Sequence, residues 1–161
     1  MKLWSKEKTP TTAQIEQFTV GRDREFDLLM ASFDVQGSIA HVTMLGEQGL
    51  MSPENAAEAV AGLHTILQEI NKGDFSIDDS AEDIHSQIEF MLTKRIGEAG
   101  KMIHTGRSRN DQVALDIKLF LRSAIAGVKA DINDLFDLLI NKSNEHQDTL
   151  IPGYTLSLIH I

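Results

Sequence analysis

The stretch from Asp111 to His146 limits the fold more than any other part of the chain. It holds no proline and a single glycine, Gly127. Its apolar residues Val113, Ile117, Phe120, Leu121, Ala124, Ile125, Val128, Leu135, Leu138 and Leu139 keep helical spacing. At about 1.5 Å per residue, such a segment would extend roughly 50 Å. So long a helix is of little use to a small monomer, because its stripe needs cover from later in the chain or from partner subunits. The apolar residues read as bundle packing, and no cofactor is expected among them.

The preceding segments are helical as well. Phe26, Leu29, Met30, Phe33, Ala40 and Met44, with Gly37 on the narrow side, predict a helix from Glu25 to Leu45 that buries this face and ends at Gly46 and Gly49. Ser52, Pro53 and Glu54 supply a cap, a first-turn proline and a first-turn acid. The face Ala56, Val60, Leu63, Leu67 and Ile70 then runs to Gly73. Ser80, with Asp83 three residues on, predicts the cap of a third helix carrying Ile84, Ile88, Met91, Leu92 and Ile96, closed by Gly97 and Gly100. The fold class is therefore all-α.

With 161 residues, 42% of them hydrophobic, the chain can bury the core of one domain or two small ones. Its opening, MKLWSKEKTP, lacks the apolar segment of a signal peptide, and no window reads as long and apolar enough to span a membrane, so a cytoplasmic location is expected. The absence of cysteine excludes disulfides, thiolate nucleophiles and cysteine-ligated metals. With 24 acidic against 15 basic residues, the net charge of -9 argues against nucleic-acid binding by phosphate neutralisation.

Within this acidic chain, residues Ala99 to Asn110 contain no acid but carry Lys101, Arg107 and Arg109. The segment His104 to Gln112, HTGRSRNDQ, feeds the long helix. Gly106 permits an unusual backbone conformation, and Ser108, Asn110 or Asp111 can cap the helix. Its free N–H groups and positive dipole end would then point where the arginines point. Two arginines with one residue between them offer planar forks for a carboxylate. A solvated helix cap is the plainer explanation of such a turn, but the arginines flanking a serine beside Asn-Asp favour an anion site. Gly97 to Lys101 is too short for a phosphate loop, and Asp74 to Asp83 has Asp79 where a calcium loop needs glycine. The six histidines show no paired metal spacing, and His64 reads as a surface or packing residue. Neither a metal nor a cofactor is expected. Asn141 to Ser143 is a formal glycosylation sequon without meaning in a protein that is not secreted.

The segment HTGRSRNDQV resembles the first signature of the argininosuccinate lyase family, within the fumarase and aspartase superfamily that also includes the delta-crystallins. DVQGSIAH at Asp34 to His41, EDIH at Glu82 to His85 and PGYT at Pro152 to Thr155 follow the family's order and approximate spacing. The resemblance implies a small helical N-terminal domain over residues 1–107 and the start of a central helix bundle over residues 108–155. It further implies the β-elimination of argininosuccinate to arginine and fumarate, the last step of arginine synthesis, with no metal or organic cofactor. The implied assembly is a homotetramer, formed through the long helix, whose active sites combine segments of different subunits. Ser108, Arg109 and Asn110 would contact the substrate, with Arg109 facing the carboxylates of the part that leaves as fumarate. Asp27, Asp83 and Thr155 match further contact positions. Asp23 stands opposite the family's usual serine, and Ser5, Lys6 and Glu7 follow Leu3 and Trp4 where the family has LWGGRF.

After Thr155 the pattern breaks. Residues 156–161, LSLIHI, replace the histidine-bearing continuation of PGYT, and the family's later serine loop, with its lysine and asparagine, has no counterpart. LSLIHI is also what a common transposase adaptor would encode, so these residues are expected to be a non-native tail. The resemblance thus covers the front third of the enzyme, and the chain alone is expected to be inactive and to associate through residues 113–139. The alternatives are a non-catalytic delta-crystallin-like relative, a superfamily lyase acting on adenylosuccinate, aspartate or malate, and a plain helical interaction module.

Overall fold

The computed structural model describes Phe18, residues 21–78 and 81–151, and the backbone of residues 154–155 and 158–159. Leu3, Trp4, Ser5, Lys6, Glu7, Asp79, Ser80, Pro152 and Gly153, together with tail residues 156–157 and 160–161, lie outside the described residues. Two compact units divide the chain, one ending at Leu121 and the other running from Arg122 to Ile161.

The first unit is a helical cluster. Helix α1, Asp23–Glu47, packs on α2, Pro53–Lys72, and both pack on α3, Ile84–Ile96. The predicted inward face of α1 is corrected by the structure. Ala31, Asp34, Val35, Ser38, Val42 and Leu45 are buried, whereas Phe26 and Leu29 are 51% and 58% exposed. The buried set, which also includes Gly37 of the expected face, keeps helical spacing but takes in two polar residues, so hydrophobicity alone found only part of the inward side. α1 also corrects the expectation that no window could span a membrane: one window in it, with mean hydropathy 1.2, is long and apolar enough by length and composition. Of that window 39% is buried inside the chain, where its apolar side chains serve packing.

α2 follows the sequence reading. Ser52 caps it by accepting a hydrogen bond from the Asn55 N–H at 3.2 Å, Pro53 opens it, and Gly73 ends it with φ at +80°. The cap of α3 is Asp83 rather than Ser80: the Asp83 carboxylate accepts from the Ser86 N–H at 2.7 Å, and the helix starts at Ile84. Val35, Val42, Leu45, Leu63, Ile66, Ile84, Ile88 and Leu92 form the core, none more than 1% exposed. Each such side chain contributes roughly 1.5–3 kcal/mol on burial.

A one-turn helix α4, Glu98–Lys101, and a 3-10 turn, Met102–His104, lead to α5, Arg109–Glu145. Gly100 lies in α4 against the end of α3, where an added Cβ would sit 2.6 Å from the Thr93 backbone nitrogen. Backbone cannot yield as a side chain can, so Gly100→Ala is expected to cost about 1–3 kcal/mol, read as a lowered Tm with an otherwise unchanged helical signal. Within the first unit α5 meets α1 at Gly37, where an added Cβ would press on Leu115, and at Phe33, whose ring packs edge-on against Phe120 at 6.1 Å.

In the second unit α5 is exposed along its length, with Ile125, Val128, Ile132, Leu135, Phe136 and Leu139 all more than half exposed. The uncovered stripe expected from the sequence is present. Two two-residue strands, β1 at Tyr154–Thr155 and β2 at Leu158–Ile159, pair antiparallel beyond it. The fold is otherwise helical among the described residues.

Candidate functional site

The turn before α5 is pinned to α1 by two bonds. The Arg107 guanidinium donates to the Ser38 hydroxyl at 2.9 Å, and His41 Nε2 meets the Thr105 carbonyl at 2.8 Å, as the donor in this pairing. Gly106 takes φ at +73° within this turn, the conformation its residue type allows. Arg107 therefore faces inward and does not form a fork pair with Arg109, which corrects the sequence reading of two arginines directed at one ligand.

Ser108 and Asp111 cap α5 reciprocally. The Asp111 carboxylate accepts from the Ser108 N–H at 2.8 Å and from its hydroxyl at 2.9 Å, while the Asp111 N–H donates to Ser108 Oγ at 3.3 Å. The backbone bond from Ser108, followed by that from its hydroxyl, holds the Asp111 carboxyl below the usual carboxylate range. The N–H groups of Arg109 and Asn110, at the first two positions of α5, have no partner inside the helix. Asn110 is exposed and its side chain has no hydrogen-bond partner among the described residues.

Arg109 reaches from this first turn to the N-terminus of α3. Its Nε lies 3.7 Å from Asp83 Oδ2, and its Nη2 donates to Ser86 Oγ at 3.5 Å. Asp27 on α1 meets the same helix end, accepting from the Ile84 N–H at 3.1 Å. Burial pushes the Asp27 carboxyl above its ordinary value, against the opposing effect of the Ile84 bond. The structure thus gathers Asp27, Asp83 and Arg109 at the start of α3 and sets Ser108 and Asn110 beside Arg109 on α5. The long contacts of Arg109, with its side chain 27% exposed, leave donor capacity for an incoming anion. Thr155 lies in the second unit, in strand β1, opposite Leu158.

A buried polar cluster behind this surface escaped the sequence reading. Asp34 of α1, His85 of α3, and Gln112 and Asp116 of α5 are each no more than 4% exposed. His85 Nδ1 donates to Asp34 Oδ1 at 3.0 Å and lies 3.6 Å from Asp116 Oδ2, and the Gln112 amide donates to Asp34 Oδ1 as well. Burial raises the Asp34 carboxyl, but the hydrogen bond and charge of His85, with Gln112, outweigh it and hold the group below its usual value. For His85, burial works downward and the bond and charge of Asp34 prevail, so its proton is held more tightly than usual. Burial, followed by the charge of Asp34, pushes Asp116 up to about 7. Burial lowers Arg107, partly offset by Asp34 and Asp116. Asp34, His85 and Asp116 place ligand-type atoms within 4.8 Å of one another, the only such metal-compatible group among the described residues. The available sequence signal was a pair of polar positions one turn apart, Asp34 and Ser38, between apolar residues that are themselves buried.

Comparison with known proteins follows the same lines. A family model described as "Lyase" matches residues 7–157. The argininosuccinate lyase of Bacteroides thetaiotaomicron is 49% identical over 154 residues, covering 96% of this chain and 34% of that protein. The argininosuccinate lyase of Parabacteroides distasonis is 49% identical with the same coverage, and that of Citrifermentans bemidjiense is 46% identical over 155 residues, 96% of this chain and 33% of the relative. The chain spans about a third of the length of these curated relatives.

Proposed function

Because the chain belongs to the lyase family matched over residues 7–157, we propose that it supplies the carboxylate-binding front segment of an argininosuccinate lyase. The observation that carries this reading is the similarity to proteins of that name along 96% of the chain. The geometry supports it: Arg109 stands at the N-terminus of a long helix with donor capacity left over, beside the exposed Asn110 amide.

The proposed reaction breaks a carbon–nitrogen bond. A base removes a proton from the carbon next to a carboxylate, the electron pair of that C–H bond becomes the new C=C bond of fumarate, and the guanidino nitrogen leaves as part of arginine. Negative charge builds on the carboxylate as the proton departs. Fixed donors placed there favour the transition state over the ground state, a role suited to the Arg109 guanidinium, the Asn110 amide and the first N–H groups of α5. Ser108, Asp27, Asp83 and Thr155 are proposed as further contacts, the last three from their match to family positions. Ser108 Oγ and the Asp83 carboxylate also serve as helix caps, so they would be rigid partners. Arginine synthesis in the cytoplasm, and assembly as a tetramer through the exposed stripe of α5, complete the proposal.

The test is a chimera in which this chain replaces the matching third of the Bacteroides thetaiotaomicron enzyme. Turnover of argininosuccinate, followed by the absorbance of fumarate, is the expected result, with adenylosuccinate, aspartate and malate left unchanged. A well-folded chimera that acts on one of those instead, or on none, would overturn the assignment.

A further inference from the structure

The buried cluster holds more acceptors than its donors can serve. Asp34 Oδ2 and both carboxylate oxygens of Asp116 are buried with no hydrogen-bond partner, although Asp34 and Asp116 approach each other within the 4.8 Å group that includes His85. Ionised carboxylates only accept, and two of them side by side away from water repel. One proton removes the repulsion and joins two of the three orphaned oxygens, because a protonated carboxyl donates to its neighbour. A divalent cation is the weaker solution. Asp34 Oδ2 and Asp116 could meet it, but His85 Nδ1 would have to give up its bond to Asp34 Oδ1 and turn from donor to ligand.

We propose that Asp34 and Asp116 hold one proton between them, and that this closed acid pair seats the Arg107–Asn110 turn on α1 and α3, making Asp116 a positioning residue. The connection is direct. Asp116 and Gln112 lie one helical turn apart on α5, so their contacts with Asp34 and His85 fix the rotation of the helix whose first residue is Arg109. Arg107, half-buried beside the pair and bonded to Ser38, ties the preceding turn to the same point. That the seated turn faces a substrate rests on the function proposed above; the acid pair does not.

The groups that face the pair are His85 of α3 and Arg107 of the turn, with Asp83, Glu89 and Arg109 acting on those two in turn. Asp116 is raised above its ordinary value, so the stability it lends is full in acid and is lost as pH rises through about 7. His85, also raised, loses its part in the same direction.

The experiment uses the 161-residue chain itself, as wild type and Asp116→Asn, which keeps the shape and removes the titration. Unfolding is followed at about pH 5.5 and about pH 8.5, together with the amide resonances of Ser108, Arg109 and Asn110. Wild-type Tm is expected to fall by several degrees between the two conditions, and that of the variant by less than half as much. The three amides should move with a midpoint near 7 in the wild type and stay in place in the variant. Equal pH slopes in the two proteins, or wild-type amides indifferent to pH, would overturn the proposal. Should the variant not fold, the carboxyl-carbon resonance of Asp116 in the wild type decides: a midpoint near 7 supports it, and an ordinary carboxylate midpoint sinks it. A rise in Tm on adding zinc or magnesium that Asp116→Asn abolishes would assign the site to a cation instead. None of these readouts involves argininosuccinate, so failure of the chimera would remove the function and leave the acid pair standing.

Discussion

Arg109→Ala, introduced into the active chimera, is expected to lower kcat/KM by about a thousandfold, near 4 kcal/mol, while moving Tm by less than the cost of a core substitution. The two halves of this expectation come from the same geometry. Arg109 makes only long contacts, 3.7 Å to Asp83 and 3.5 Å to Ser86, and its side chain is partly exposed, so the folded chain draws little from it. A substrate carboxylate would meet it at shorter range and partly shielded from water, where a charge-assisted bond is stronger. Arg109→Lys separates charge from shape: the ammonium keeps the positive charge but loses the planar fork, so turnover should recover in part. Steady-state kinetics with thermal unfolding on the same samples checks both. A variant that loses stability and keeps its kinetics would identify Arg109 as a tie between the start of α5 and the cap of α3, with no substrate role.

The helices themselves were legible because each carried its own punctuation. Ser52, Pro53 and Gly73 mark α2 at both ends, and the proline-free run after Asp111 could only be one long helix. The inward face of α1 was not legible, since Asp34 and Ser38 occupy it and Phe26 and Leu29 look out. Apolar spacing identifies a helix well, yet it misplaces part of the inward face when the core contains a buried acid. The cap of α3 slipped from Ser80 to Asp83 for a related reason, because both residue types cap and the choice depends on where the backbone N–H of Ser86 comes to lie. HTGRSRNDQ pointed to the right turn, but Arg107 and Arg109, two residues apart, separate into a half-buried anchor on Ser38 and a partly exposed guanidinium beside Asp83. Their division depends on Ser38, 69 residues before Arg107, a distance no local pattern spans. The cluster is assembled from residues 34, 85, 107, 112 and 116 in the same way, and only packing brings them together.

Asp34→Ala should therefore be the most damaging single substitution for the fold. The Asp34 side chain is fully buried and receives the His85 and Gln112 bonds on one oxygen, with the positive charge of Arg107 nearby. Without it, the two buried donors His85 and Gln112 lose their acceptor, and the Arg107 guanidinium loses a neighbouring negative charge. Removing one partner of a buried ionic group costs roughly 3–5 kcal/mol, against a total stability of about 5–15 kcal/mol for an ordinary domain. A fall in Tm of roughly 10 °C or more is expected. Asp34→Asn keeps the volume and one acceptor oxygen, so its loss should be smaller. Their pH dependence separates this ionic account from simple cavity formation. The Asp34 carboxyl is held below its ordinary value of 3.8, so its contribution is present above that value and disappears as pH falls through the folded-state value. Wild type should therefore lose stability at the acid end, and Asp34→Asn should lose less there, narrowing the gap between them. A constant gap across that range would mean that Asp34 holds the helices by shape alone.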